Sequence, residues 1–91
     1  MHLDFDPPKD AANIRDRGLP FSLVTAFEFE TAVIWQDTRK AYPEVRFSAL
    51  GLIGGRVYSL VFTETPKGIR VISFRKANPR EVKRHEQETQ S

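Results

Sequence analysis

The side chains best suited to chemistry concentrate in one stretch, KGIRVISFRKANPREVKR, from Lys67 to Arg84. Seven of the chain's 14 Lys and Arg residues fall there, and Glu81 is the one acid among them. The preceding residues hold the other seven bases against nine acids. A chain of net charge +2 therefore gathers its positive charge on one surface. Such a surface attracts polyanions by releasing counterions from their phosphates, so nucleic acid is the first partner to consider. Arg75 leads the candidates. It closes a predicted strand, where simple alternation groups it with Ser73 and Val71, and its planar fork suits bidentate phosphate binding in a way Lys does not copy. Arg46 comes second, with Glu44 two residues away as a base, as an orienting group, or as a purely structural ion-pair partner. Arg70 has the opposite parity from Arg75, so it joins a shared site only if a bulge or the sheet edge turns it. Arg80 opens a predicted helix whose first amides could help hold a phosphate. Lys76, Lys83, Arg84 and Ser73 read as RNA-binding rather than reacting groups. An exposed strand end and a solvated helix face are the plain alternatives for these cations.

The elements that must position these residues follow from pattern. Leu3 and Phe5 alternate with polar neighbours as a short strand. Asp6-Pro7-Pro8 reads as a cap followed by helix-opening prolines, with Gly18 ending that helix. Leu23, Val24 and Phe27 predict a second helix over 21–29. The signal then changes to period two. Strands are predicted over 31–35, 46–52, 57–63 and 69–75, with a hairpin at Gly54-Gly55. Asn78-Pro79-Arg80-Glu81 forms a capping-box signature, starting a helix over about 79–88 with a tail open to disorder. That helix has Val82 as its only aliphatic residue, worth about 1.5–2 kcal/mol on burial. Either charged partners hold it down or it is mobile. The order β-α-α-β-β-β-β-α makes one α+β domain over residues 1–91, a small antiparallel sheet with helices mainly on one face. Trp35, Phe47, Phe62 and Phe74 are expected in the core; Trp35 and Tyr58 are the aromatics to watch for base stacking.

The sequence has no Cys and two His, which excludes disulfides and thiol-ligated metal; no metal and no cofactor are expected. No apolar run is long enough to span a bilayer, and the acidic start is unlike a signal peptide. A cytoplasmic location is expected.

Read together, these segments resemble the BrnT-type toxins of the RelE/ParE-like superfamily. The opening matches through Phe5, Asp6, Pro7, Lys9, Asn13, Gly18 and Phe21. The middle matches through Glu44, Arg46, Phe47 and Gly51, then Arg56, Val57, Thr63 and Glu64. The end matches through Arg70, Ile72, Ser73, Arg75, Lys76, Ala77, Arg80 and Glu81. Arg17 stands where the family usually has His, Pro20 where it has a Ser or Thr cap, and His85 where an aromatic is common. The resemblance implies a RelE-like fold and a metal-independent endoribonuclease that inhibits translation. It implies a co-encoded BrnA-like antitoxin in a hetero-oligomer, with 2:2 as one arrangement, and operator DNA reached only through that antitoxin. No membrane partner follows. Cleavage of this kind needs a base for the 2′-hydroxyl, cations for the phosphoryl oxygens and an acid for the departing 5′-oxygen. Which residue is base and which is acid stays open. A second reading keeps the fold without catalysis, as a nucleic-acid-binding or antitoxin-bound subunit of an autorepressing complex. A third is a small subunit that docks an acidic protein.

Overall fold

The computed structural model describes residues 1–90. Strand β1 is His2–Phe5 and helix α1 is Pro7–Arg17. Two 3₁₀ turns follow, Phe21–Ala26 and Phe29–Thr31. Then come β2 (Val33–Gln36), β3 (Phe47–Ile53), β4 (Arg56–Thr65), β5 (Gly68–Lys76) and helix α2 (Pro79–Thr89). All five strands share one sheet in the order β1-β5-β4-β3-β2. The meander β2 to β5 is antiparallel, as expected. Gly54 and Gly55 turn its β3–β4 hairpin with φ of 55° and 81°, the left-handed pair that matches strand twist.

The structure corrects three expectations. The sheet is mixed, because β1 pairs in parallel with β5. β1 has no hairpin partner; it reaches the sheet through the α1 connection and takes the one edge that the meander leaves beside β5. The predicted second helix is two 3₁₀ turns. Its buried residues Phe21, Val24 and Phe27 recur every three positions, the period of a 3₁₀ turn and not of an α-helix. Pro20 and the β-branched Val24 and Thr25 favour the same outcome, and Phe27 N–H closes the turn on Val24 O at 3.0 Å. Asp10 supplies the missing cap, its Oδ1 accepting from Phe21 N–H at 2.7 Å.

The third correction concerns the faces. Strand register puts Phe47, Ala49, Leu60, Phe62, Ile69, Val71 and Phe74 on one face. The 3₁₀ turns cover it with Phe21, Val24 and Phe27, making the main core. Helix α2 lies on the opposite face, against β2, β3 and β4. Helices therefore flank both sides of the sheet. Under α2, Leu50 and Val57 form a second, smaller buried patch.

Helix α2 docks with little apolar surface by using polar anchors. Its capping box is complete: Glu81 N–H donates to Asn78 Oδ1 at 2.8 Å, and Asn78 N–H to Glu81 Oε1 at 2.9 Å. Buried His85 sets Nε2 at 3.2 Å from Thr31 O; a carbonyl requires that nitrogen to donate. The Arg84 guanidinium stacks 4.1 Å above the Trp35 ring. With the Arg75–Glu81 ion pair at 2.8 Å, which ties the helix to β5, these contacts supply the charged and polar hold that the single Val82 demanded. The expected disorder of the tail falls partly on residue 91, outside the described residues.

Candidate functional site

The face opposite the core is half covered by α2. The remainder, around Ser59, Val61, Thr63 and Ser73, is only partly buried. Alternation alone would send Arg70 and Arg75 to different sides. A bulge intervenes: Val61 pairs with Ser73 while Phe62 pairs with Val71, leaving Ile72 as the extra residue. Arg70 stands opposite Thr63 and Arg75 opposite Ser59, so both arginines and Ser73 share the open face. The same bulge moves Val71 to the core, against the simple alternation that grouped it with Arg75. Arg46, one residue before core-facing Phe47, continues this face. Thr63 and Ser59 lie four positions apart along β4, so the Arg70 and Arg75 rows are about 13 Å apart at roughly 3.3 Å per residue. Cations spread over that length suit a chain of phosphates.

Each guanidinium here already holds a carboxylate. Arg75 makes a bidentate pair with Glu81, Nη1 to Oε1 at 2.8 Å and Nη2 to Oε2 at 3.0 Å. These bonds raise the Arg75 pKa, although burial and the nearby Arg39 guanidinium oppose them. They hold the Glu81 carboxyl below the usual carboxylate range. Arg46 Nε donates to Glu44 Oε1 at 2.8 Å and its guanidinium lies 4.2 Å over the Tyr42 ring. Arg70 Nη1 reaches Asp4 Oδ2, on its register partner in β1, at 2.6 Å.

The RNA-binding candidates divide. Lys76, Arg80 and Lys83 are exposed and have no carboxylate within ion-pair reach among the described residues. Lys76 and Lys83 line an open groove of about 660 Å³ together with Arg56, Val57 and Val82. Arg84 is engaged by Glu88 at 2.7 Å as well as by Trp35. Trp35 is thus stacked already, and Tyr58 packs on Phe74 with ring centres 5.4 Å apart. Each ring therefore already has one face stacked.

Residue-by-residue reading passed over the Asp37–Arg39 pair. Asp37 carboxylate oxygens accept from Arg39 Nε and Nη2, both at 2.8 Å, and from Arg39 N–H at 3.2 Å. These bonds, opposed by desolvation, lower the Asp37 pKa to about 2. The carboxylate keeps only 2% of its surface, under a single layer of side chains from Arg39 and Tyr42. Its backbone N–H bonds Arg46 O at 2.8 Å, so this pair sets the loop that carries Glu44 and Arg46. The visible signal was an acid and a base two residues apart in a stretch otherwise read as loop. Among the described residues no cluster of three His, Asp or Glu gathers as a metal site, and no helix is long and apolar enough to cross a membrane.

Comparison with known proteins places this geometry in context. The protein-family model described as "Ribonuclease toxin, BrnT, of type II toxin-antitoxin system" matches residues 5–81. That span includes both arginine rows, the bulge and the Arg75–Glu81 pair. No curated protein and no solved structure matches the chain.

Proposed function

The chain belongs to the BrnT family of ribonuclease toxins of type II toxin–antitoxin systems, and from that membership and the open arginine face we propose that it cleaves RNA there without a metal. The observation that carries the reading is Arg75, held by the bidentate Glu81 pair on the same face as Ser73 and Arg70. In the reaction, the 2′-oxygen bonds to phosphorus while the bond to the 5′-oxygen breaks. Negative charge grows on the phosphoryl oxygens, and a preorganised guanidinium stabilises it. Arg75 fills this role. Glu81 is a poor base, because a carboxylate held below its usual pKa has little affinity for a proton; its work is to aim Arg75. Glu44, on the loop fixed by Asp37 and Arg39 and paired with Arg46, is the candidate base for the 2′-hydroxyl, and the departing 5′-oxygen takes its proton from water. Lys76, Arg80 and Lys83 draw the rest of the strand in. In this reading the fold is RelE-like, translation falls as messages are cut in the cytoplasm, and a co-encoded BrnA-like antitoxin covers the same face with acidic residues. Operator DNA is reached through that partner.

A second reading rests on one observation. Arg46, Arg70 and Arg75 all have carboxylate partners, which also suits a face built to be structural inside a repressing complex. Cleavage of a labelled, structure-free RNA in EDTA, wild type against Arg75→Ala, separates the two. Cutting by the wild type alone supports the enzyme. Salt-dependent binding by both, with cutting by neither, supports the binding subunit.

A further inference from the structure

Arg17 ends helix α1, far in sequence from the basic stretch, and the reading of the open face gives it no task. Strand β1 covers the β5 edge only as far as Phe5 opposite Val71. Beyond it, Asn13 takes over. Its Nδ2 donates to Phe74 O at 3.0 Å and to Leu19 O at 2.9 Å. Its Oδ1 accepts from Arg17 Nη1 at 2.9 Å. Asn13 is 7% exposed, and both ends of its amide are engaged. It therefore works as a strut between Arg17 and the residue next to Arg75. Arg17, Leu19, Arg75 and Lys76 enclose an open notch of about 320 Å³ at this edge. No carboxylate lines it. Six arginines of this chain have a carboxylate partner; Arg17 has none among the described residues.

We propose that this notch is a phosphate site, in which Arg17 and Lys76 hold a backbone phosphate of the RNA next to the one at Arg75. The proposal rests on the reading that the open face binds RNA. An arginine whose one side-chain hydrogen bond is to a buried amide keeps most of its donors for a ligand, and its position is set before the ligand arrives. Lys76 adds a second unpaired cation across the notch. The plain alternative is that Arg17 only complements the negative end of α1.

The test compares wild type, Arg17→Ala and Arg15→Ala. Arg15 lies on the same helix, pairs with Asp16 at 3.0 Å and gives the same charge change. Affinity for a short single-stranded RNA is measured against salt, and the backbone amides of residues 17, 19 and 76 are followed by NMR as inorganic phosphate and then RNA are added. Arg17→Ala is expected to weaken RNA binding several-fold and to flatten the plot of log affinity against log salt by about 0.7, one phosphate contact on a single strand. Arg15→Ala is expected to change neither. Arg17→Lys, which keeps the charge and needs less of the strut, is expected to recover part of the slope, showing that the loss is not misfolding. Equal effects of the two alanine variants, or amides at the notch that do not respond to RNA, would overturn the proposal. RNA cutting that survives with no Arg17-specific effect removes the notch and leaves the nuclease. An Arg17-specific binding loss in a protein that cuts nothing keeps the notch and removes the nuclease.

Discussion

Replacing Glu81 with Gln removes one charge and almost no volume. The variant keeps an oxygen able to accept from Asn78 N–H, so the capping box survives in its Gln form. What is lost is the bidentate bond to Arg75, at 2.8 and 3.0 Å. The two side chains are 38% and 22% exposed, so solvent screens them. Unit charges at 4 Å are worth about 1 kcal/mol in water, and exposed pairs are measured at about 0.2–1 kcal/mol. The doubled, preorganised geometry puts this pair at the top of that range, about 1 kcal/mol. For a chain of this size that lowers Tm by roughly 4–8 °C. Glu81→Ala also removes half of the capping box and is expected to lower Tm further than Glu81→Gln. The effect has a pH signature. The folded carboxyl titrates below its ordinary value of 4.5, so the pair's stabilisation is fully present above that value and is lost as pH falls through the lower folded one. The gap between wild type and Glu81→Gln is constant above 4.5 and closes below it. On the functional side, the freed Arg75 fork gains up to about 1 kcal/mol for RNA phosphate, a factor of about five in affinity, while cleavage falls because Arg75 is no longer aimed. Thermal unfolding across pH and RNA titration read both arms. A Tm within about 1 °C of wild type at neutral pH, against the scale expected for this size, would refute the account of how α2 is held.

Gly51→Ala sets a Cβ within 2.7 and 2.9 Å of the Phe27 ring edge, and Phe27 is buried at 5%. Overpacking of this kind costs about 1–3 kcal/mol, to be seen in denaturant unfolding together with shifted Phe27 resonances. Asp37 is expected to stay ionised at pH values where free aspartate protonates, since its folded pKa is about 2. The stabilisation it provides is present above the ordinary aspartate value of 3.8 and disappears as pH falls through about 2. An Asp37 side-chain carboxyl carbon titrating near 3.8 by NMR would contradict the geometry. Asp37→Asn weakens the Arg39 clamp, and the expected readout is faster hydrogen exchange at the backbone N–H of residue 37, which donates to Arg46 O, with the strands unaffected.

How much of this was legible depended on how local the cause was. The Gly54-Gly55 hairpin, the meander and the capping box of α2 are set by neighbours in sequence, and each was read within a residue or two. The 3₁₀ turns were missed because Phe21, Val24 and Phe27 at intervals of three satisfy a loose helical template, and the strict period of three that distinguishes a 3₁₀ turn shows only once it is known which residues are buried. The parallel pairing of β1 is a choice among edges that no local pattern makes. The bulge hides inside Val71-Ile72-Ser73, where two consecutive apolar residues leave the parity undecided. That one residue determines which face Arg70 takes, so the membership of the site turned on it. Arg75, Arg46 and Glu44 were legible as chemistry. The carboxylate partner of Arg75 was less so: Glu81 was visible as a cap, and its second contact to Arg75 needed the fold.

The pairing changes how RNA binding must respond to salt. If all the cations near the site met phosphate from solution, Arg17, Arg46, Arg70, Arg75, Lys76, Arg80, Lys83 and Arg84 would release counterions together, with a slope of log affinity against log salt near −6 at about 0.7 per contact on a single strand. Arg46, Arg70, Arg75 and Arg84 start from carboxylates at 2.8, 2.6, 2.8 and 2.7 Å. When such an arginine changes partner, the phosphate sheds a cation and the freed carboxylate recruits one, so the exchange contributes little net release. Of these eight, Arg17, Lys76, Arg80 and Lys83 have no ion-pair partner among the described residues, and the slope is expected near −3. A measured slope near −6 would mean that these ion pairs do not persist in solution. It would also remove the argument that Arg75 is aimed before its substrate arrives. A slope near −3 that steepens in Glu81→Gln would tie the salt response to the same pair that docks α2, which makes the helix and the phosphate competitors for one guanidinium.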